Sequence, residues 1–157
     1  MMEGKVRGAS QENREAQMAG IQQKSFGTPD EVRTFPKGRV ELVKVGGAMI
    51  GRAVFEPGWR WSTSVKPIAR TDSCQMPHFQ YHVAGTLKVV TDDGTERTLR
   101  PGDVSCLSAG HDAWVVGNAP AIFVDFQGMA DYAKAQAAAA SRRRAPRRRR
   151  RAMAAAR

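Results

Sequence analysis

The sequence predicts an all-β domain, an antiparallel sandwich or barrel, flanked by extensions of different composition. Three observations predict it. No long helical period of apolar residues appears between Val40 and Phe126. That stretch breaks instead into short β-branched and aromatic runs. Gly- and Pro-bearing turns separate the runs at roughly eight to twelve residues, the rhythm of short antiparallel strands.

Each element has its own reason. Val40-Glu41-Leu42-Val43-Lys44-Val45 is short and rich in β-branched residues, which suit a pleated surface. A strand over residues 48–55 follows Gly46-Gly47 and stops at Glu56-Pro57-Gly58. Residues 59–65 read as a further extended segment, with Trp59 and Trp61 on one face and Arg60 opposite. Residues 78–84 make a strand that stops at Gly85. Alternation there puts His78, Gln80, His82 and Ala84 on one face and Phe79, Tyr81 and Val83 on the other. Residues 87–91 and 95–99 flank Asp92-Asp93-Gly94, a hairpin signal because Asp-Gly supplies the positive φ of a tight turn. Pro101-Gly102-Asp103 is a second turn, residues 104–107 a short apolar strand, and Ser108-Ala109-Gly110 a third turn. Residues 114–116 and 121–126 are the last strands, separated by Gly117-Asn118-Ala119-Pro120.

Composition divides the 157 residues into three parts: a disordered leader (1–24), a β-domain (25–128) and an Ala/Arg-rich tail (129–157). The tail reads as a disordered extension, although residues 129–140 are Ala-rich enough to form a helix. The net charge of +10 suggests a nucleic-acid binder until it is located. Residues 141–157 carry nine Arg and no acid, whereas residues 25–140 balance to zero. Basicity therefore describes the tail and not the domain. Nine charges could hold phosphate non-specifically, but no aromatic residue interleaves them for base stacking. The first 23 residues lack the apolar stretch of a secretory signal, and no apolar run approaches a membrane span, so a cytoplasmic location is expected. Two cysteines make no disulfide framework. Phosphate-cradling Gly loops, a dinucleotide fingerprint and the Gly-X-Ser-X-Gly elbow are all absent.

Four features carry chemistry. In Cys74-Gln75-Met76-Pro77-His78, a thiolate and an imidazole stand four residues apart, both good ligands for zinc or ferrous iron. A lone Cys in a strand is more often a small buried apolar residue. His111 follows a turn and could face the interior, or could be a surface histidine bonded to Asp112. His82 shares a face with His78 and is either a ligand, an outer hydrogen-bond partner or a satisfied core residue. Trp59 and Trp61 could line a pocket mouth, although packing in the core is favoured by their burial energy.

The stretch from His78 to Asn118 resembles the cupin superfamily. The resemblance lies in His78 and Gly85 with six residues between, then Asp92-Asp93-Gly94, Pro101-Gly102-Asp103 and Ser108-Ala109-Gly110. Gly85, Gly102 and Gly110 match glycines of the two cupin motifs. The metal-bearing positions differ. Asp72 and Cys74 stand where the first motif has its two His, and His78 stands where it has Glu. Ser108 replaces the proline of the second motif. Ala113 fills its His slot with His111 two residues earlier, and Gly117 fills its Asn slot beside Asn118. Residues 65–69, 71–74 and 110–116 are also similar to a bacterial group of small single-domain cupins.

The resemblance covers residues 33–126. It implies a small β-barrel of two packed sheets, jelly-roll-like and often homodimeric, with ligands projecting inward. A residue two places along a strand stays on the same face, so His111 could supply what Ala113 cannot. Cys74, His78 and His111 would then form a Cys-His-His metal set with an open position for a small-molecule ligand, the pattern of a catalytic site. His82, Tyr81, Trp114, Trp59 and Trp61 are the expected pocket residues. The expected cofactor is a divalent transition metal, zinc or iron. The opposing expectation is a barrel that binds or senses a small molecule without metal and without turnover.

Overall fold

The computed structural model describes residues 20–135. The leader before residue 20 and the Arg-rich run lie outside the described residues, and so do the expectations placed on them. Among the described residues, nine strands form two antiparallel sheets. They are β1 (Glu31–Phe35), β2 (Gly38–Val45), β3 (Ala48–Phe55), β4 (His78–Ala84), β5 (Thr86–Thr91), β6 (Glu96–Leu99), β7 (Val104–Leu107), β8 (His111–Val116) and β9 (Ala121–Asp125). Six strands make one sheet, in the order β1-β2-β3-β9-β4-β7, and three make the other, β6-β5-β8. Two packed antiparallel sheets are what the resemblance to cupins implied.

The Asp-Gly hairpin joins β5 and β6 in the register Leu87 to Leu99 and Val90 to Glu96. Gly94 takes a φ of +84°, the conformation the turn requires. Alternation holds in β4, where His78, Gln80 and His82 are buried and Phe79, Tyr81 and Val83 face out. In β9 the same period turns Ala121, Phe123 and Asp125 inward. Between the sheets, Phe55 is the hub of an aromatic cluster. Its ring stacks on Trp59 at 3.7 Å between centroids and meets Phe123 edge-on at 5.1 Å. Burying such rings contributes more than any other side-chain type per residue.

Two expectations are corrected. Residues 59–65 are not one extended segment: Trp61–Ser64 forms a helical turn, α1, and Lys66–Ala69 forms α2. Trp61, Val65 and Ala69 are all buried at steps of four residues, which places them on one helical face against the core. Packing of that face overrides the β-propensity of Trp, Thr and Val. Asp112 of β8 fixes the start of α1, accepting from the Ser62 amide at 3.1 Å and from Arg60 Nε at 2.9 Å. Arg70, with φ of +59°, ends α2. The second correction concerns the end of the packed body. It does not stop at residue 128, because Met129 is fully buried and Tyr132 nearly so, after a 3₁₀ turn at Gly128–Ala130.

Candidate metal centre

Three chain segments bring the donors together between the sheets. His78 opens β4 in the larger sheet and His111 opens β8 in the smaller one. Cys74 reaches the same place because the loop before β4 pairs with β8. Its amide donates to the His111 carbonyl at 2.8 Å, and its carbonyl accepts from Gly110 at 2.7 Å. Asp92, in the hairpin turn, braces this bridge from outside. Its Oδ2 accepts from Ser73 Oγ at 2.8 Å, and its amide donates to the Gly110 carbonyl at 2.9 Å. Gly110 has φ of +89°, and a Cβ there would press on Asp92 at 2.8 Å. The glycine of this turn therefore sets where His111 begins.

The result is a buried cluster. One donor atom from each of Cys74, His78 and His111 lies within 4.8 Å of the others. Cys74 Sγ stands 3.6 Å from His78 Nε2. Tetrahedral ligands at ordinary zinc–sulfur and zinc–nitrogen lengths stand about 3.6 Å apart, so this pair fits such an ion. The remaining ring nitrogens are already engaged. His78 Nδ1 is 2.5 Å from Asp125 Oδ2, and His111 Nδ1 donates to the Ser108 carbonyl at 2.8 Å. With Nδ1 engaged, each ring keeps Nε2 as the atom that can bind an ion. A carboxylate behind a ligating imidazole fixes its tautomer and raises its basicity.

Burial and neighbouring charges set the protonation of these groups. Burial pushes the Cys74 thiol up to about 12, aided by the charges of Asp125 and Asp112. By itself it is an inert thiol and not a nucleophile. Burial also holds His111 below its ordinary value, as does the neighbouring His78. It therefore stays neutral, the form that ligates metals. Burial alone would raise Asp125, but the bond to His78 and the amides of Gln127 and Gly128 outweigh it and hold the carboxyl below the usual range.

The other expected pocket residues divide. Trp59 and Trp61 are buried and line a cavity of about 20 Å³ beside the three donors, together with Gln80 and Tyr132. That volume holds about one water. Trp59 Nε1 and Gln80 Oε1 are buried there without partners among the described residues. His82 is fully buried but lies outside this cavity, tilted against Phe123 with Ser105 Oγ 3.5 Å from Nε2. It is a core residue. Tyr81 and Trp114 are on the wrong phase of their strands. Tyr81 is half-exposed on the outer face of β4, and Trp114 lies between Arg60 and Lys88 on the outer face of β8. The cavity has no place for either.

Asp125 was not among the expected site residues. Its signal was an acid on the inward phase of an apolar strand, which no fold needs without a partner. Met129 and Tyr132, also missed, line the cavity from beyond the expected domain end.

No protein-family model matches the chain, and no curated protein matches it. Solved structures that it resembles include a sugar phosphate isomerase from a cupin superfamily of Silicibacter pomeroyi. The two are 19% identical over 68% of this chain and 75% of that one, with a TM-score of 0.49. The Drosophila melanogaster CENP-C cupin domain is 12% identical over 80% of this chain and all of that one, with a TM-score of 0.47. An oxalate decarboxylase of Lactobacillus farciminis is 19% identical over 62% of this chain, with a TM-score of 0.46. The match spans only 31% of that decarboxylase.

Proposed function

We propose that this chain is a cupin-type barrel that holds zinc or ferrous iron through Cys74, His78 and His111 and acts on a small molecule beside it. What carries the reading is the convergence of three buried donor atoms within 4.8 Å, two of them on rings whose other nitrogen is already bonded. When bound, such an ion supplies a Lewis acid that polarises a ligand oxygen or activates water. The chain's own groups do the rest. Asp125 orients His78, and the Ser108 carbonyl orients His111. Trp59 Nε1 offers a donor and Gln80 Oε1 an acceptor for a polar ligand. Trp61, Met129 and Tyr132 exclude bulk water. The reaction takes place in the cytoplasm on this reading, and the working unit is a homodimer. Its contact surface is the outer face of β4 and β7, where no outward position is charged.

The test is metal content. Purified protein should carry about one metal per chain by elemental analysis and lose it in Cys74→Ser and His78→Ala variants. Protein that is free of metal and keeps full stability in a chelator removes this reading.

One observation favours a second reading, a barrel that binds or senses a small molecule without turnover. The cavity beside the donors, about 20 Å³, holds about one water and leaves no room for a bound ion and a substrate side by side. Metal content separates the two readings, since only the first needs the ion.

A further inference from the structure

One side of the cavity is closed by a segment that belongs to neither sheet. Residues 127–134 leave β9, make the 3₁₀ turn and cross the core, with Met129 and Tyr132 pointing in. Among the described residues, no strand pairs with this segment. Polar groups secure it at both ends. At its root, Asp125 Oδ1 accepts from the amides of Gln127 at 2.8 Å and Gly128 at 2.9 Å. Further along, the guanidinium of Arg33 on β1 gathers its carbonyls. Nη1 donates to Met129 at 3.1 Å and Tyr132 at 2.6 Å, and Nη2 donates to Ala130 at 2.8 Å. One planar fork thus ties three carbonyls of the segment to β1, of which Met129 also accepts from the Tyr132 amide at 3.3 Å.

A second, smaller cavity of about 10 Å³ lies against the first. Trp61, Cys74 and Tyr132 line both cavities, and Asp131 and Lys134 line the smaller one. These three side chains are therefore the wall between the two. Two of them sit on the helical turn and the loop before β4. Tyr132 alone is carried by the crossing segment.

We propose that residues 127–134 are a latched lid, with Arg33 as the latch and Tyr132 as the gate. Ions and small polar ligands reach Cys74, His78 and His111 through the smaller cavity when the lid lifts. This rests on reading the larger cavity as a ligand site. A segment held by one guanidinium, two root amides and two apolar anchors opens at lower cost than a paired strand. The same Asp125 that holds the lid root also holds the His78 ring. Closing the lid and orienting the ring therefore reinforce each other.

The test uses full-length, metal-free protein and the labelling of its two cysteines by iodoacetamide, read by peptide mass spectrometry. Cys74 is buried, and Cys106 is exposed in the single chain. Although Cys106 lies on the face proposed for the dimer contact, it is far in sequence from the substitutions and serves as the control for their local effect. Arg33→Gln should raise the Cys74 rate at least tenfold and leave Cys106 unchanged. Arg33→Lys, which keeps the charge without the fork, should fall between. Tyr132→Ala should raise the Cys74 rate with the latch intact. Below the unfolding transition, the raised rates should hardly depend on urea. A Cys74 rate unchanged in Arg33→Gln and Tyr132→Ala, or one that follows global unfolding in urea, overturns the lid. Labelling needs no metal, so its outcome is separate from that of the metal analysis.

Discussion

Asp125 Oδ2 lies 2.5 Å from His78 Nδ1 while its Oδ1 accepts from the amides of Gln127 and Gly128. One buried carboxylate thus serves an imidazole of the candidate metal set and the root of the proposed lid. Asn at this position keeps the shape, but one acceptor oxygen becomes a donor and the charge is lost. Asp125→Asn should weaken zinc binding by about 10–100-fold, the usual effect of removing such a partner. Competition with a chromophoric chelator measures it. Unchanged affinity would mean that Asp125 does not position the ring.

Gly128 has no room for a side chain. A Cβ there would collide with the Pro77 carbonyl and stand 2.6 Å from His78 Nδ1. Gly128→Ala should therefore cost about 1–3 kcal/mol of stability through overpacking and displace the His78 ring. Urea denaturation reads the first effect and a chelator titration the second. Wild-type values in both would show that the backbone yields there without strain.

His82 sets a pH dependence. Burial lowers its pKa from 6.5, partly offset by Asp103, and its Nδ1 has no partner among the described residues. As the pH falls through 6.5, the unfolded chain takes a proton that the folded site refuses. Stability is complete above that point and declines below it until the folded site is protonated too. His82→Leu removes this step. Between pH 7.5 and 5.5, values of about one unit either side of an ordinary histidine, the urea midpoint should fall less in the variant than in the wild type. Equal falls would place the acid sensitivity elsewhere.

The homodimer is tested on the face it would use. Phe79, Tyr81, Val83 and Val104 are half-exposed or more, Phe126 lies 6.1 Å from Phe79, and β7 is an open sheet edge. A second copy would bring the same uncharged surface, with no like-charge conflict. Light scattering should give about twice the 17.2 kDa chain mass for the wild type and one chain mass for Tyr81→Lys/Val104→Lys. A monomeric wild type at tens of micromolar, a range in which a stable dimer persists, would defeat the assignment.

Legibility differed from element to element for physical reasons. The Asp92-Asp93-Gly94 hairpin could be read because its turn chemistry is local. The burial of His78 and His82 and the exposure of Tyr81 followed from a two-residue period that needs no partner to be counted. The same period put Trp114 outside, once His111 was known to open β8 facing inward. The helical turns at Trp61–Ser64 and Lys66–Ala69 went unread because each is only four residues long. Trp61, Val65 and Ala69 show helical spacing only when the surface they bury against is known.

By itself, the sequence determined most of the antiparallel strands from Val40 onward, their turns and the residue types able to bind a metal, because these depend on neighbours a few positions apart; β1 and the helical turns after Arg60 it did not. Only the tertiary structure decided which of them meet. Cys74 and His111 are joined by a bridge across 37 positions, and Asp125 reaches His78 from 47 positions away. Such contacts are set by sheet order and register, which close the chain on itself and leave no local trace.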